Sequence, residues 1–128
     1  MSVSTNPPSV EDHRSLAREN LAFADGLRAS AQDPVAIRWA VTALFYAALH
    51  ALSAYMLHRY DVVALEHKHR WPWLRTYSEL KRFAYDYREL YERSHAARYS
   101  PATFTGSDYD KLRARGRHMI ERWLKDSG

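Results

Sequence analysis

The amino-acid sequence predicts an all-α fold, an up-and-down bundle of four to five helices. Apolar residues recur at spacings of three and four over long stretches, which is typical of helices with one buried face. No segment shows the alternation of a strand or the turn of a hairpin. The chain has 128 residues, 46% of them apolar, and only four glycines. This length suits one domain with a sizeable core, which we place at residues 9–126 after a flexible tail at residues 1–8.

The first predicted helix spans residues 9–30. Ser9 and Asp12 have the spacing of a capping box, in which each side chain accepts a hydrogen bond from the other residue's backbone. The helical spacing continues through Leu16, Asn20, Phe23, Ala24 and Leu27.

The second predicted helix runs from Pro34 to about Arg59, with Asp33 as its N-cap. The stretch from residue 39 to residue 57 has no charged Asp, Glu, Lys or Arg and is close to membrane-spanning length. Its many alanines and its polar residues, His50 among them, favour the buried central helix of a bundle. We expect this helix to form the centre of the fold and to contribute to a dimer interface.

The third predicted helical region covers residues 71–99. A run this long predicts a break, which we place near residues 83–86. Its apolar stripe follows a spacing of three and four and consists of Leu74, Tyr77, Leu80, Ala84, Tyr87 and Tyr91.

The last predicted helix follows a loop at residues 100–106, which contains Pro101 and Gly106. Ser107 and Asp110 have capping-box spacing and are the predicted start of this helix. Its apolar stripe consists of Tyr109, Leu112, Gly116, Met119, Trp123 and Leu124.

Composition excludes several classes of site. The absence of cysteine excludes disulfide scaffolds, thiolate zinc sites, Fe–S clusters and cysteine nucleophiles. The net charge of +4 is too small to identify a nucleic-acid partner by itself. No phosphate-binding loop, dinucleotide fingerprint or second Glu-x-x-His pair is found, so we expect no cofactor and no metal. The polar N-terminus does not resemble a signal peptide, and we expect a cytoplasmic protein with no membrane partner.

The strongest candidate site lies in the segment YDYRELYERSHAARY. Arg88 and His95 are seven residues apart, about two helical turns, so both project from nearly the same face, with Tyr91, Glu92 and Tyr99 close to that line. Histidine can move protons near neutral pH, and arginine binds phosphate oxygens. This pair is a plausible minimal set for attack on a phosphodiester. The structural alternative is an exposed helical face with a solvated histidine.

Other segments have weaker functional interpretations. The segment 67–70, HKHR, resembles a metal-binding pair but is better explained as a solvated basic loop. With Trp71 and Trp73 it could stack single-stranded bases, although packing at the bundle end explains the tryptophans better. We interpret His50 as a core histidine satisfied by a carbonyl or a tyrosine hydroxyl. A charged, solvated helix face explains Arg113, Arg117 and Arg122 better than RNA binding does.

Two segments resemble the HEPN superfamily (higher eukaryotes and prokaryotes nucleotide-binding domain). RWAVTALFYAALHALSAYML is similar to the alanine- and aromatic-rich helix of that family, and LYERSHAARYSP is similar to the stretch in which many members carry a functional arginine and histidine. The resemblance covers residues 9–124. It implies a compact helical bundle that pairs into a homodimer and, in active members, a metal-independent endoribonuclease.

The family motif is Arg, four to six residues, then His, and Arg88 and His95 fit it at the long end. The resemblance then implies that His95 transfers protons between the ribose 2′-hydroxyl and the leaving 5′-oxygen. Arg88 stabilises the charge that develops on the phosphoryl oxygens, and the RNA product ends in a 2′,3′-cyclic phosphate. Two departures are Glu89, where active members often have Asn, Asp or His, and the distance from His95 to the next aromatic residue, Tyr99.

These observations leave two function classes open. The first is a HEPN-type ribonuclease, used as a toxin or defence effector, for which an antitoxin or a nucleotidyltransferase-type protein is a possible partner. The second is a non-catalytic HEPN-like module that binds a partner protein or a nucleotide, or that only dimerises. The spacing of Arg88 and His95 favours the first class. Glu89 and the distance from His95 to Tyr99 favour the second.

Overall fold

The computed structural model describes residues 6–30, 33–64, 67–101 and 103–128. Within these ranges the regular structure is helical throughout, which confirms the predicted all-α bundle, with six α-helices instead of four or five. Residues 1–5 of the predicted tail lie outside the described part. The helices are α1 (Val10–Ser30), α2 (Pro34–Tyr60), α3 (Arg70–Thr76), α4 (Ser78–Lys81), α5 (Ala84–Tyr99) and α6 (Gly106–Asp126), with a short 3-10 helix at His67–His69 before α3.

The start of α1 confirms the predicted capping box. The Ser9 backbone N–H donates to Asp12 Oδ2 at 2.8 Å, and the Asp12 N–H donates to Ser9 Oγ at 3.0 Å. These bonds satisfy two backbone donors that a helix end otherwise leaves unpaired. Ala17 and Ala24 are fully buried on the face of α1 that packs against α2. Their small side chains allow a close approach between the two helices.

Helix α2 is the centre of the bundle and packs against α1, α5 and α6. As predicted, Asp33 caps it by accepting from the Ala36 N–H at 2.9 Å, and Pro34 is its first residue. By length and composition α2 could cross a membrane, yet 83% of its most apolar window is buried inside the fold. Burial against neighbouring helices therefore accounts for its apolar character.

The predicted third helix is divided into α3, α4 and α5. The break at Phe83 agrees with the predicted one at residues 83–86, but a second break at Tyr77 was not predicted. Tyr77 has an extended backbone (φ −89°, ψ 120°), and its ring packs on Tyr60 with centroids 4.2 Å apart. The helical spacing passes through this position unchanged, so only the tertiary contact distinguishes it.

The predicted cap of α6 was wrong by two residues. Thr105 is the N-cap: its hydroxyl accepts from the Asp108 N–H at 3.2 Å, and Asp108 Oδ2 accepts from the Thr105 N–H at 2.8 Å. Asp110, which the prediction paired with Ser107, instead accepts from Arg28 of α1 at 3.0 Å. Thr105–Asp108 and Ser107–Asp110 have the same capping-box spacing. Asp110 forms an ion pair with Arg28, and the Thr105–Asp108 pair caps the helix. The buried face of α6 consists of Tyr109, Leu112, Gly116, Met119, Ile120 and Trp123.

Candidate functional site

The predicted pair Arg88 and His95 lies on the outer face of α5. Tyr87 and Leu90 of the same helix are buried in the core and so fix which face is exposed. Arg88 and His95 are both exposed, and seven residues of helix separate their Cα atoms by roughly 10 Å. The structure thus places both side chains at the surface on one side of α5.

The Arg88 guanidinium is paired with Glu92, one turn further along α5. Arg88 Nε donates to Glu92 Oε1 at 3.1 Å, and the two side chains are 73% and 60% exposed. The pairing directs the guanidinium towards the C-terminal end of α5, the end that carries His95. An exposed ion pair of this kind contributes only about 0.3–0.5 kcal/mol. An anionic ligand can therefore compete with Glu92 for Arg88.

His95 is flanked by two tyrosine rings. The centroid distances are 6.3 Å to Tyr91 and 4.9 Å to Tyr99. Tyr91 also contacts the core through Phe45, whereas Tyr99 is 72% exposed. The imidazole is therefore positioned by aromatic contacts at the surface.

A groove of about 390 Å³ lies beside Arg88. Trp71 forms part of it, half-buried and edge-on to Tyr91, with ring centroids 5.0 Å apart. Arg75 of α3 brings a second cation to the same groove. His95 and Tyr99 lie further along α5 and do not line it. The lining residues are Trp71, Leu74, Arg75, Ala84, Arg88, Tyr91 and Glu92.

Glu89, the residue that departs from the family pattern, faces α6. Both of its carboxylate oxygens accept from Nη1 of Arg115 at 2.6 Å, and its side chain is only 18% exposed. The ion pair raises the pKa of Arg115. Glu89 therefore connects α5 to α6. It does not line the groove that contains Trp71, but it lines a second cavity with Arg88 and Glu92.

The basic face of α6 is largely neutralised. Arg113 pairs with Asp25 at 3.0 Å, and Arg117 pairs with Glu121 at 3.0 Å. Arg122 pairs with Asp126 at 2.7 Å. These ion pairs agree with the structural interpretation of this face as a charged, solvated helix surface.

The segment around residues 67–70 is not a uniformly solvated loop. Lys68 is exposed, but Arg70 is only 8% exposed, which contradicts the predicted solvated basic loop at this position. Trp73 is buried in the core, as the packing interpretation expected. Trp71 differs from it, since it lines the groove beside Arg88.

A cluster that the sequence did not predict joins α1, α2 and α3. His13 Nδ1 and His50 Nδ1 are 3.0 Å apart, so the partner of His50 is an imidazole and not a carbonyl or a tyrosine hydroxyl. Arg70 Nη2 donates to Ser53 Oγ at 3.2 Å, one turn along α2 from His50. Burial, with the nearby charges of His13 and Arg70, lowers the pKa of His50 to about 4. His50 is therefore neutral at pH 7, and the shared hydrogen bond needs one Nδ1 proton.

Comparison with known proteins identifies no family. No family model matches the chain, and neither the curated proteins nor the solved structures give a significant match. The resemblance to HEPN proteins therefore rests on the sequence segments named above.

Proposed function

We propose that this chain is a HEPN-like, metal-independent endoribonuclease that acts as a homodimer. The observation that carries the proposal is the outer face of α5, where Arg88 and His95 are both exposed on one side of the helix and Arg88 lines a groove with an aromatic wall and a second cation. A cation, an imidazole and a surface for a base are the parts that cleavage of RNA at a phosphodiester requires.

In this proposal each side chain has one role. His95 accepts the proton of the ribose 2′-hydroxyl, which attacks the adjacent phosphorus, or donates a proton to the 5′-oxygen as it leaves. Arg88 leaves Glu92 and stabilises the charge on the non-bridging phosphoryl oxygens. The products are a 2′,3′-cyclic phosphate and a 5′-hydroxyl. Trp71 and Tyr91 hold a neighbouring base, and Arg75 holds a flanking phosphate.

A homodimer supplies the second proton-transfer group. One imidazole cannot hold the attacking and the leaving oxygen at once, and a two-fold axis beside α5 brings a second Arg88–His95 pair to the same cleft. Exposed apolar side chains near the C-terminal end of α5 support such an interface: Val35, Trp39 and Tyr99 are 62%, 55% and 72% exposed. The rest of α2 is mostly buried within its own chain, so its contribution to a dimer is confined to its first turns.

Cleavage of a single-stranded RNA by the purified protein, with EDTA present, tests the proposal. We expect His95→Ala and Arg88→Ala to lower the cleavage rate by at least about 100-fold. Arg117→Ala, which removes an exposed, ion-paired arginine from α6, is the matched control and should cleave at the normal rate. An all-deoxy strand should remain intact. Cleavage that survives His95→Ala, or that depends on Mg²⁺, contradicts the proposal.

The second candidate is a non-catalytic HEPN-like module that binds a nucleotide or a partner protein. Two ion pairs favour this second function. Glu92 is paired with Arg88, and Glu89 is paired with Arg115, so neither carboxylate assists cleavage. Nucleotide binding that alters the tryptophan fluorescence of the chain, with no cleavage and no effect of His95→Ala, would identify this function.

We also propose that the ribonuclease serves as a toxin or defence effector. A nuclease that cuts the host's own RNA must be restrained by a partner, such as an antitoxin or a nucleotidyltransferase-type protein. Induced expression of the chain should arrest growth, and His95→Ala should restore it. Growth that continues at the normal rate under the active chain contradicts this role.

A further inference from the structure

Arg70 is a buried cation with incomplete hydrogen bonding. Its side chain begins α3 and reaches α2, where Nη2 donates to Ser53 Oγ at 3.2 Å. Its Nε is buried and has no hydrogen-bond partner among the described residues. A buried donor of this kind on a charged group is costly and calls for an explanation.

The groups around Arg70 do not neutralise it. Burial lowers the pKa of Arg70, and among the described residues the buried Tyr87 hydroxyl opposes this shift. Its other close titratable neighbours are His13 and His50, on which Arg70 acts as a like charge. Among the described residues, no carboxylate forms an ion pair with Arg70.

His13 and His50 complete the surroundings of this cation. Their Nδ1 atoms are 3.0 Å apart, and both side chains are only partly buried, so the cluster is reached from solvent on the imidazole side. Imidazoles that take up a proton become donors at both nitrogens. Together with Arg70 Nε they offer donors from three helices.

We propose that Arg70, His13 and His50 form a binding site for a phosphate group. A tetrahedral dianion can accept from Arg70 Nε and from an imidazole on different oxygens, and it supplies the negative charge that the cluster lacks. A metal cation is disfavoured there by the guanidinium. The site consists of residues other than Arg88 and His95, and it does not depend on the proposed ribonuclease activity.

Thermal unfolding in inorganic phosphate, against NaCl at equal ionic strength, is the first test. We expect phosphate at ten times its Kd to raise the Tm by about 5 °C. Arg70→Met removes the charge at similar size and should abolish the rise. Arg117→Met, on the exposed surface of α6, should retain it. An equal rise in Arg70→Met and the unmodified chain overturns the proposal.

A second test covers the case in which Arg70→Met does not fold. His13→Gln keeps a polar side chain at a partly exposed position, and we expect it to weaken phosphate binding about tenfold by calorimetry. In the unmodified chain, imidazole ¹⁵N resonances of His13 and His50 should shift with phosphate, whereas those of exposed His118 should not. Unchanged affinity in His13→Gln, or unmoved His13 and His50 resonances, overturns the proposal.

The pH dependence of sulfate binding provides a third measurement, because sulfate keeps its charge between pH 7 and pH 5. The groups that face the site are His13, with Asp12 beside it on α1, His50 on α2, Arg70 on α3 and Tyr87 on α5. An anion bound beside the imidazoles favours their protonated forms. Sulfate affinity should therefore rise about tenfold from pH 7 to pH 5.5. An affinity that stays constant overturns the proposal.

The source of the phosphate group is resolved by comparing ligands. Inorganic phosphate, adenosine 5′-monophosphate and uridine 3′-monophosphate carry the same dianionic group. Tighter binding of a nucleotide identifies a nucleotide site, and equal or weaker binding identifies a site for the free ion. Failure of all three to bind through Arg70 overturns the proposal.

Discussion

The Tyr109 hydroxyl donates to Asp25 Oδ1 at 2.6 Å and so connects α6 to α1 across the bundle. Arg113 donates to the same carboxylate at 3.0 Å. Burial alone raises the pKa of Asp25, but the hydrogen bonds from Arg113 and Tyr109 outweigh it and hold the pKa below that of an ordinary aspartate. The carboxylate is thus held in its charged form between two donors.

Loss of one donor should destabilise the fold by a modest amount. Tyr109→Phe removes a single hydrogen bond to a charged acceptor, and we expect the free energy of unfolding to fall by about 1.5 kcal/mol. Asp25→Ala leaves the Tyr109 hydroxyl without its acceptor and should cost about 2 kcal/mol. Urea unfolding measures both, and Glu121→Ala on the exposed face of α6 should change stability by less than about 0.5 kcal/mol. An unchanged midpoint in both variants would show that the contact contributes nothing.

The histidine pair should make stability depend on pH. His50 in the unfolded chain takes up a proton near pH 6.5, whereas in the folded chain burial and the charges of His13 and Arg70 lower its pKa to about 4. Protons therefore bind the unfolded chain more strongly. The stabilisation is complete above pH 6.5 and is lost as the pH falls from 6.5 towards 4, by about 1–2 kcal/mol after allowance for solvent screening.

Urea unfolding in phosphate-free buffer at pH 7, 6 and 5 measures this loss. His50→Gln should reduce the slope of stability against pH over this range. His118→Gln, on the exposed side of α6, should leave the slope as it is. If His50→Gln has the same slope as the unmodified chain, the pH dependence of stability does not come from His50.

Glu92 should act as a competitor of RNA for Arg88. Glu92→Gln removes the carboxylate that holds the guanidinium at 3.1 Å, so we expect RNA to bind about twofold to threefold more tightly. Glu121→Gln is a matched control, because Glu121 is also exposed and paired with an arginine four residues away. Fluorescence anisotropy with a labelled RNA measures the affinity. Weaker binding in Glu92→Gln would indicate that Glu92 itself contacts the RNA.

Trp71 should carry the contact with a base. Trp71→Leu keeps an apolar side chain in the groove but removes the ring, and we expect RNA affinity to fall roughly tenfold, which corresponds to about 1–2 kcal/mol for one stacked base. Phe23→Leu, at an exposed position on α1 outside this groove, is the control for loss of a surface aromatic ring. Equal affinities of Trp71→Leu and the unmodified chain would exclude the groove from RNA binding.

The homodimer should depend on the exposed apolar side chains near the end of α5. Trp39→Asp places a charge on this surface without affecting Arg88 or His95. We expect light scattering to report a monomer and RNA cleavage to fall at least about tenfold. A monomeric Trp39→Asp chain that cleaves at the normal rate would show that one subunit suffices.

Local features of this chain could be predicted from sequence. The pairs Ser9–Asp12 and Asp33–Pro34 determine where α1 and α2 begin, because their hydrogen bonds and backbone geometry involve residues within one turn. The placement of Arg88 and His95 on one face also follows from helical spacing alone.

Features that depend on packing between helices could not be predicted. His13 is 37 residues from His50, and Arg70 is 17 residues from Ser53, so their contacts follow only from the way α1 and α3 lie against α2. The break at Tyr77, whose ring packs on Tyr60, likewise has no signal in the spacing of the apolar residues. The groove beside Arg88 likewise needs Trp71 of α3 next to Tyr91 of α5.

The order of the helices has a consequence for biosynthesis. Helix α2 leaves the ribosome long before α6, which covers part of it. Until α6 has been synthesised, part of an apolar helix of membrane-spanning length is exposed. A nascent chain that is stopped before residue 106 therefore exposes apolar surface on α2. We expect such fragments to aggregate or to be retained by chaperones.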